Sequence, residues 1–351
     1  MPNDRYISIL EEIKRKGGQV DNGEPNDKVL IIDGLNTFIR VFSVLPTTNA
    51  DGIHVGGIVG FLKSVGYSIK TLRPTRCIIV FDGKGGSHRR RKLFPEYKKR
   101  KRTSYRVNRV EQVSSQEDER HNMILQLKRC VEYLSLLPLT IFSTENIEAD
   151  DVIAYITKQV LTESKITIMS TDKDFLQLVN ERISIWNPVR KKLYNPEGVL
   201  KDYEIAPNNF LLYRVLDGDK SDNIPGIRGA GIKTIQKYFD SVMESENSNV
   251  KDLLVLAEQK KDEFKLYKNV YNNREQVLLN EKLMQLHNVN ISASTKTKIV
   301  KQVNGPIQRM IKFKFQKMFM EDKLYSGLPN LNSWLMTTFN RLNRMAEKSH
   351  G

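Results

Sequence analysis

The hydrophobic positions of this chain gather in short unbroken runs, and three of the longest run into an acid. Val29-Leu30-Ile31-Ile32 leads into Asp33, and Cys77-Ile78-Ile79-Val80-Phe81 leads into Asp82. Ile166-Thr167-Ile168-Met169-Ser170-Thr171 leads into Asp172, and 139–142 and 183–186 are shorter runs of the same kind. Runs of about four to six apolar residues without alternation fit strands buried on both faces, as in a parallel sheet. Between them, apolar positions return at helical spacing over 57–72, 117–136 and 150–161, and a further helix is predicted over 6–15 through Ile7, Leu10 and Ile13. Strand and helix in alternation predict an α/β fold, a central, mostly parallel sheet with helices on both faces. Ligands of such sheets sit beyond the carboxyl ends of the strands. Asp33, Asp82 and Asp172 are therefore predicted to leave three strands at one edge.

One Asp at a strand end is ordinarily a turn or cap residue. Three repeats, with Asp174 two residues beyond Asp172, argue for a shared purpose. Glu148-Ala149-Asp150-Asp151 precedes the apolar pattern Val152, Ile153, Tyr155, Ile156. Helix capping would need only one of these acids, and three in four positions exceed that need, although Asp151 alone is still open to a capping role. Asp219 and Asp222 fall on one face if their stretch is helical. Carboxylates gathered together repel and raise each other's pKa, and a metal cation removes that cost.

Composition then changes the picture. The 351 residues allow one large α/β domain with an appendage, or two domains. Fifty-six Lys and Arg against 41 Asp and Glu give a net charge of +15. A basic chain with an acidic cluster points to metal-dependent chemistry on a polyanion, of which nucleic acid is the obvious one. Cys77 and Cys130 stand alone, without zinc spacing, which fits a reducing compartment. With no apolar run of about 18 residues and a polar N-terminus, a soluble, intracellular, cytoplasmic protein is expected.

Between Lys84 and Arg109, twelve basic residues stand against the single acid Glu96, with Tyr97 and Tyr105 interleaved. Such a run is usually solvated and is expected to be mobile without a polyanion. Because it follows the strand that delivers Asp82, it must rise beside the acids, where it can hold a phosphodiester. Gly226-Ile227-Arg228-Gly229-Ala230-Gly231-Ile232-Lys233-Thr234 opens a helix ending near Phe239. Its glycines allow close approach of a phosphate, and Arg228 and Lys233 favour that reading over a plain turn.

The ordered blocks Ile32-Asp33-Gly34, Val80 to Lys84, Pro95-Glu96-Tyr97-Lys98, Glu148 to Asp151, Ser170 to Asp174 and Gly218 to Thr234 resemble the 5′-nuclease superfamily. This superfamily comprises flap endonucleases and the 5′-nuclease domains of bacterial DNA polymerases. Length and the terminal stretches look most like the ribonuclease H (5′-3′ exonuclease) branch of T-even-like bacteriophages, which would place the chain in a host bacterial cytoplasm. The resemblance implies a two-Mg2+ phosphodiesterase, with Mn2+ able to substitute, acting as a 5′-3′ exonuclease and flap endonuclease in lagging-strand primer removal. It implies one metal at Asp33, Asp82, Glu148 and Asp150, and a second at Asp172, Asp174 and Asp219, with Asp150 between them. Asp151 and Asp222 match acids that hold metal-bound water. Lys98 matches an active-site lysine, and Arg89 or Arg90 a companion arginine.

By the same resemblance, expected DNA contacts are Arg40, Tyr97, Lys99, Arg100, Arg102, Gly226, Arg228, Gly229, Gly231, Lys233 and Thr234, with a potassium ion on the carbonyls of the 226–234 turn. The implied layout is an N-terminal extension at 1–27, and a catalytic core at 28–240 with a basic helical arch at about 84–110 and a helix-3-turn-helix at about 217–239. A C-terminal helical region follows at 241–351, with a small core of its own around Trp334 and Phe339. Expected partners are branched or nicked DNA and RNA–DNA hybrids, acted on by a monomer, with a single-strand DNA-binding protein or sliding clamp as protein partner. No sliding-clamp peptide is evident at either end. Two rivals stay open: a PIN-like ribonuclease, which would lack the 226–234 turn, and a non-catalytic structure-specific DNA-binding protein, which would show gaps in the acid set.

Overall fold

Alternate residues of the central strand face two different cores, which is why its sequence is apolar without interruption. Val29 and Ile31 pack on one face of the sheet with Ile78, Val80, Ile166 and Ile168. Leu30 and Ile32 pack on the other with Cys77, Ile79 and Met169. The computed structural model describes residues 23–99, 115–245 and 248–350. The helix predicted over 6–15, and Arg100 and Arg102 of the basic run, lie outside the described residues.

The strands are β1 (Lys28–Asp33), β2 (Arg76–Asp82), β3 (Thr140–Thr144), β4 (Lys165–Met169), β5 (Ile183–Asn187) and β6 (Lys192–Tyr194). Their order is β3-β2-β1-β4-β5-β6, parallel throughout except for the β5–β6 edge. The chain winds outward from β1 in both directions, so the order reverses between β1 and β4. A crevice forms at such a reversal, beyond the carboxyl ends of the strands. β6 escapes prediction because Lys192-Leu193-Tyr194 has no apolar run.

The α-helices described up to residue 238 are α1 (Gly34–Val44), α2 (Gly56–Leu72), α3 (His88–Leu93), α4 (Gln116–Leu134), α5 (Ala149–Tyr155), α6 (Pro196–Tyr203), α7 (Phe210–Asp217) and α8 (Ile232–Tyr238). α1 starts directly from β1 because the Asp33 carboxylate caps it, accepting from the Asn36 N–H at 3.2 Å. The predicted helix over 150–161 is α5 followed by a π-helical turn, Ile156–Val160. Among the described residues, no helix is long and apolar enough to cross a membrane.

Beyond residue 240, only Ile307, Met345 and Ala346 form a small cluster of their own among the described residues, and Trp334 and Phe339, contrary to expectation, are not in it. Helices Val250–Gln259, Lys265–Asn272, Arg274–Met284 and Ala293–Asn304 add their apolar faces to the core that contains α5 and α7. Helices Lys312–Glu321 and Leu331–Lys348 join the opposite core, with α1, α2 and α4. Phe339 is 0% exposed in that core, and Trp334 packs edge-on against it with ring centroids 5.3 Å apart. The sheet's apolar faces need cover, and the C-terminal helices supply it. Replacing Phe339 by Ala should therefore destabilise the whole sheet by about 3–5 kcal/mol. In urea, far-UV circular dichroism and the fluorescence of Trp334 in a Trp186→Phe background should report one coincident transition. Two separated transitions would mean an independent C-terminal unit.

Candidate metal centre

Each acid reaches the crevice through a local reason in the backbone. Asp33 and Asp82 are the last residues of β1 and β2. Asp82 accepts the Ala149 N–H at 2.8 Å, which ties the end of β2 to the start of α5 and so brings Glu148 and Asp150 alongside. Asp172 does not leave a strand directly, since β4 ends at Met169. It lies three residues on, where its carboxylate caps a 3-10 turn by accepting the Asp174 N–H at 2.8 Å. Ser170 joins the two halves of the crevice: its hydroxyl donates to Asp33 at 3.0 Å and accepts the Asp172 N–H at 3.1 Å. Asp219 and Asp222 are not on a helix. They lie in a turn closed by the Asp219–Ile224 bridge, in which Asp219 accepts the N–H groups of Ser221 (2.7 Å) and Asp222 (3.3 Å).

The electrostatics are those of carboxylates that cannot all ionise comfortably. Burial, then the charge of Asp82, pushes Asp33 up to about 6, against the restraining hydrogen bonds of Asn36 and Ser170. Burial, then Asp174, Asp33 and Asp219, pushes Asp172 up to about 8. Asp150 is raised well above its ordinary value by burial and by Asp172, Asp33 and Asp82, with Lys98 opposing. Asp174 and Asp82 are raised chiefly by burial, and Asp222 is raised to about 6 by burial and Asp219. Asp33, Asp82, Asp150, Asp172, Asp174, Asp219 and Asp222 thus share one field.

Cations hold part of this charge. Arg90 is buried, with its guanidinium on Glu148, on Asp151 at 2.8 Å and on the Leu283 carbonyl at 2.8 Å. Lys98 donates to Glu148 at 2.7 Å and stands 3.8 Å from Asp222. Burial works to raise Glu148, but Arg90 and Lys98 outweigh it and its carboxyl lies below the ordinary value. Arg214, 3% exposed, binds Asp174 and Asp219, each at 2.6 Å. Among the described residues, no three acids close on one point as a ready-made metal cage. Arg90, Lys98 and Arg214 engage Glu148, Asp174 and Asp219 instead.

Two expectations, an open Tyr97 and a loose basic run, are corrected here. Asp151 pairs with Arg90 and, at 3.3 Å, with Arg89, so it is held by the arginines. Of those two arginines, Arg90 is the one inside the cluster. Tyr97 is not on an open DNA face: it is buried, and its hydroxyl donates to Glu148 at 3.2 Å. The described part of the basic run, 84–99, is folded onto the acids, with α3 inside it, so it does not stand off as a loose segment. Arg40 stays outside the cluster, donating to the Ser64 hydroxyl at 3.2 Å. Lys99 is exposed and pairs with Glu96 at 2.8 Å.

Arg214, Ser170, Asn36 and Asn223 were missed from the sequence. Arg214 had a signal, as the one cation in the apolar stretch Phe-Leu-Leu-Tyr-Arg-Val-Leu of α7. Asn223 had none. Its amide donates to the carbonyls of Glu96 (3.0 Å) and Lys99 (2.7 Å), while the Lys98 N–H donates to the Asp222 carbonyl at 2.9 Å. The acid turn and the basic run are thereby laced together, with Lys98 and Asn223 both in the left-handed region at φ 49° and 60°. A groove of about 750 Å3 opens beside them, lined by Asp82, Gly86, Arg91, Lys98, Lys99 and Glu148 among others.

In the 226–234 segment, Arg228, Gly229, Gly231 and Lys233 are exposed, and Thr234 is half-buried. Gly229 requires its glycine through φ 90°, whereas Gly231 sits at φ −74° in open space and does not. Gly226 is glycine because a Cβ would come within 2.1 Å of the Asp217 carbonyl, so packing fixes it and phosphate approach is not needed.

The family profile described as 5′-3′ exonuclease, N-terminal resolvase-like domain, matches residues 28–204. A 5′-3′ exonuclease of Buchnera aphidicola is 31% identical over 265 residues, covering 74% of this chain and 87% of that protein. One of Aquifex aeolicus is 33% identical over 217 residues, covering 60% of this chain and 70% of that protein. In fold, the chain matches the T5 D15 protein co-crystallised with metal ions, with a TM-score of 0.60 at 19% identity over 84% of this chain and 99% of that one. The chain belongs to the 5′-3′ exonuclease family, a family of nucleases.

A pH dependence follows from the raised carboxyls. A carboxyl that holds its proton more tightly folded than unfolded makes the fold more stable as pH falls through the folded value, with the gain complete below the unfolded value. Asp172 at about 8 and Asp33 and Asp222 at about 6, against 3.8 unfolded, place the window between about pH 8 and 4. In chelator, the melting temperature should rise from pH 8.5 to 6; a fall over that range would contradict the clustering.

Proposed function

We propose that this chain is a magnesium-dependent, structure-specific 5′ nuclease that hydrolyses phosphodiesters near 5′ ends of flapped or nicked DNA and RNA–DNA hybrids, as in primer removal on a lagging strand. The observation that carries the reading is the meeting of Asp33, Asp82, Asp150 and Asp172 at the switch point of the sheet, in a chain of net charge +15. Nine carboxylates face four cations there, Arg89, Arg90, Lys98 and Arg214. Two divalent ions would nearly cancel the difference. Asp33, Asp82, Glu148 and Asp150 would hold the first, and Asp172, Asp174 and Asp219, with Asp150 shared, the second. Magnesium suits this all-oxygen donor set, manganese being an alternative, and when bound it supplies a nucleophile at neutral pH and offsets charge on the leaving oxygen.

The protein's own groups do the rest. Burial lowers the tendency of Lys98 to stay charged, but Asp150, Tyr97, Glu148 and Asp222 together raise it, so its ammonium persists at any working pH. At the lip of the groove it would offset charge growing on the scissile phosphate. Arg90 keeps Glu148 ionised and holds Asp151 in place. Arg228, Gly229, Gly231 and Lys233 present an exposed face for the duplex backbone, contacts that position a substrate without reading its sequence.

Asp172→Asn should abolish cleavage of an end-labelled flap while leaving binding of that flap intact or tighter. Magnesium at a hundredfold excess over its Kd should stabilise the wild type by about 2.7 kcal/mol, and this gain should shrink sharply in the variant. Turnover at the wild-type rate by Asp172→Asn would sink the assignment.

A second expectation concerns the lacing of the groove. Asn223→Ala should slow single-turnover cleavage roughly ten- to a hundredfold, since small displacements of a catalytic group are that costly. The Kd for substrate should hold. In a Lys98→Ala background the same substitution should cost little more, because the two changes act through one group. Fully additive losses would show that Asn223 acts elsewhere.

A further inference from the structure

At the opposite pole from the acids, near the amino ends of β1, β2 and β4, a second concave site lies between the end of α2 and helix Leu331–Lys348. It encloses about 340 Å3, and its lining includes Lys70, Arg73, Thr338, Asn340, Arg341 and Arg344. None of the described residues that line it is acidic. Lys70, Arg73 and Arg344 form no ion pair among the described residues, which sets them apart from Arg90, Lys98 and Arg214.

A plainer explanation exists for part of this. Cations complement the negative end of a helix, and Arg341 donates to the Arg73 carbonyl at the end of α2. A helix terminus carries only about half a charge, however, whereas Lys70, Arg73 and Arg344 bring three full charges here. The field reaches Lys28, which is held below its ordinary value first by burial and then by Arg341, Arg73 and Lys165. Thr338 adds an independent sign of a ligand: it is 3% exposed, and its hydroxyl finds no hydrogen-bond partner among the described residues. Lys70, Arg73 and Arg344, without an ion pair among the described residues, around an unsatisfied hydroxyl suit a phosphate group, which offers several acceptor oxygens and negative charge together.

We propose that this pocket is a second phosphate-binding site, taking a backbone phosphate of a single-stranded arm of the nucleic acid, well away from the cut; the choice of nucleic acid rests on the function proposed above. A single strand is required by mechanics. The strands between the two poles are about 20 Å long, and a duplex with a persistence length of about 150 base pairs does not fold around so small a body. A flexible arm does.

Lys70 and Arg344 are both exposed, so the double variant Lys70→Ala/Arg344→Ala should fold normally. Binding of labelled branched DNA is titrated against salt in chelator, with single-stranded arms of about five and about thirty nucleotides, and every phosphate that the variant no longer neutralises should lower the salt slope by about 0.7. The expected result is wild-type behaviour on the short arm, and on the long arm a lower slope with several-fold weaker binding. Cleavage of the short-arm substrate in magnesium should be unchanged, a readout by which the nuclease reading stands or falls separately. Identical slopes for variant and wild type on the long arm, or equal weakening on both arms, would overturn the proposal. Inorganic phosphate is titrated alongside by thermal shift. Saturable stabilisation of the wild type alone, with unchanged DNA slopes, would assign the pocket to free phosphate and overturn the nucleic-acid part.

Discussion

Like charges forced into one buried crevice are the constraint around which this structure is organised. The sheet's switch point offers a ready cavity, and the chain fills it with carboxylates whose mutual repulsion and loss of water both oppose ionisation. Three buried or half-buried cations answer part of that cost. Arg90, in α3, and Lys98 both come from the basic run and Arg214 from α7, so two distant parts of the chain are drawn to the same place. Removing one partner from such a pair leaves an uncompensated buried charge, which is far costlier than the pair is worth. The cluster therefore acts as an electrostatic clasp on the fold as well as a site.

This clasp explains how the basic run behaves. Near neutral water a dense string of lysines and arginines gains little from compact order. Beside nine carboxylates, its first part has partners: Arg90 and Tyr97 are buried there, and Arg91 donates to the Tyr97 carbonyl at 3.2 Å. The same positive charge that would steer a polyanion toward the groove is thus partly spent on the acids beneath it.

Much of this could be read from the chain. Runs such as Leu30-Ile31-Ile32-Asp33 carry both the strand and its terminal acid, because a parallel strand buried on two faces needs no polar alternation. Sequence spacing could not tell which way a side chain turns: Asp150 enters the shared field, while its neighbour Asp151 turns to Arg90. Nor could it foresee the Asn223 amide, since its partners are carbonyls about 125 residues away that carry no side-chain signature. The C-terminal helices were misread for a related reason. Apolar residues at helical spacing announce a buried face but not what buries it, and here the partner is the sheet itself.

The last helix has a consequence for biosynthesis. Leu335, Phe339 and Leu342 close the core over α2, and near the helix's end Lys348 is paired with Glu24, just ahead of β1. β1 thus leaves the ribosome about 300 residues ahead of the helix that completes the cover on one face of its sheet. Until then a nascent or prematurely ended polypeptide carries a partly uncovered apolar surface, the kind that chaperones bind and that drives aggregation.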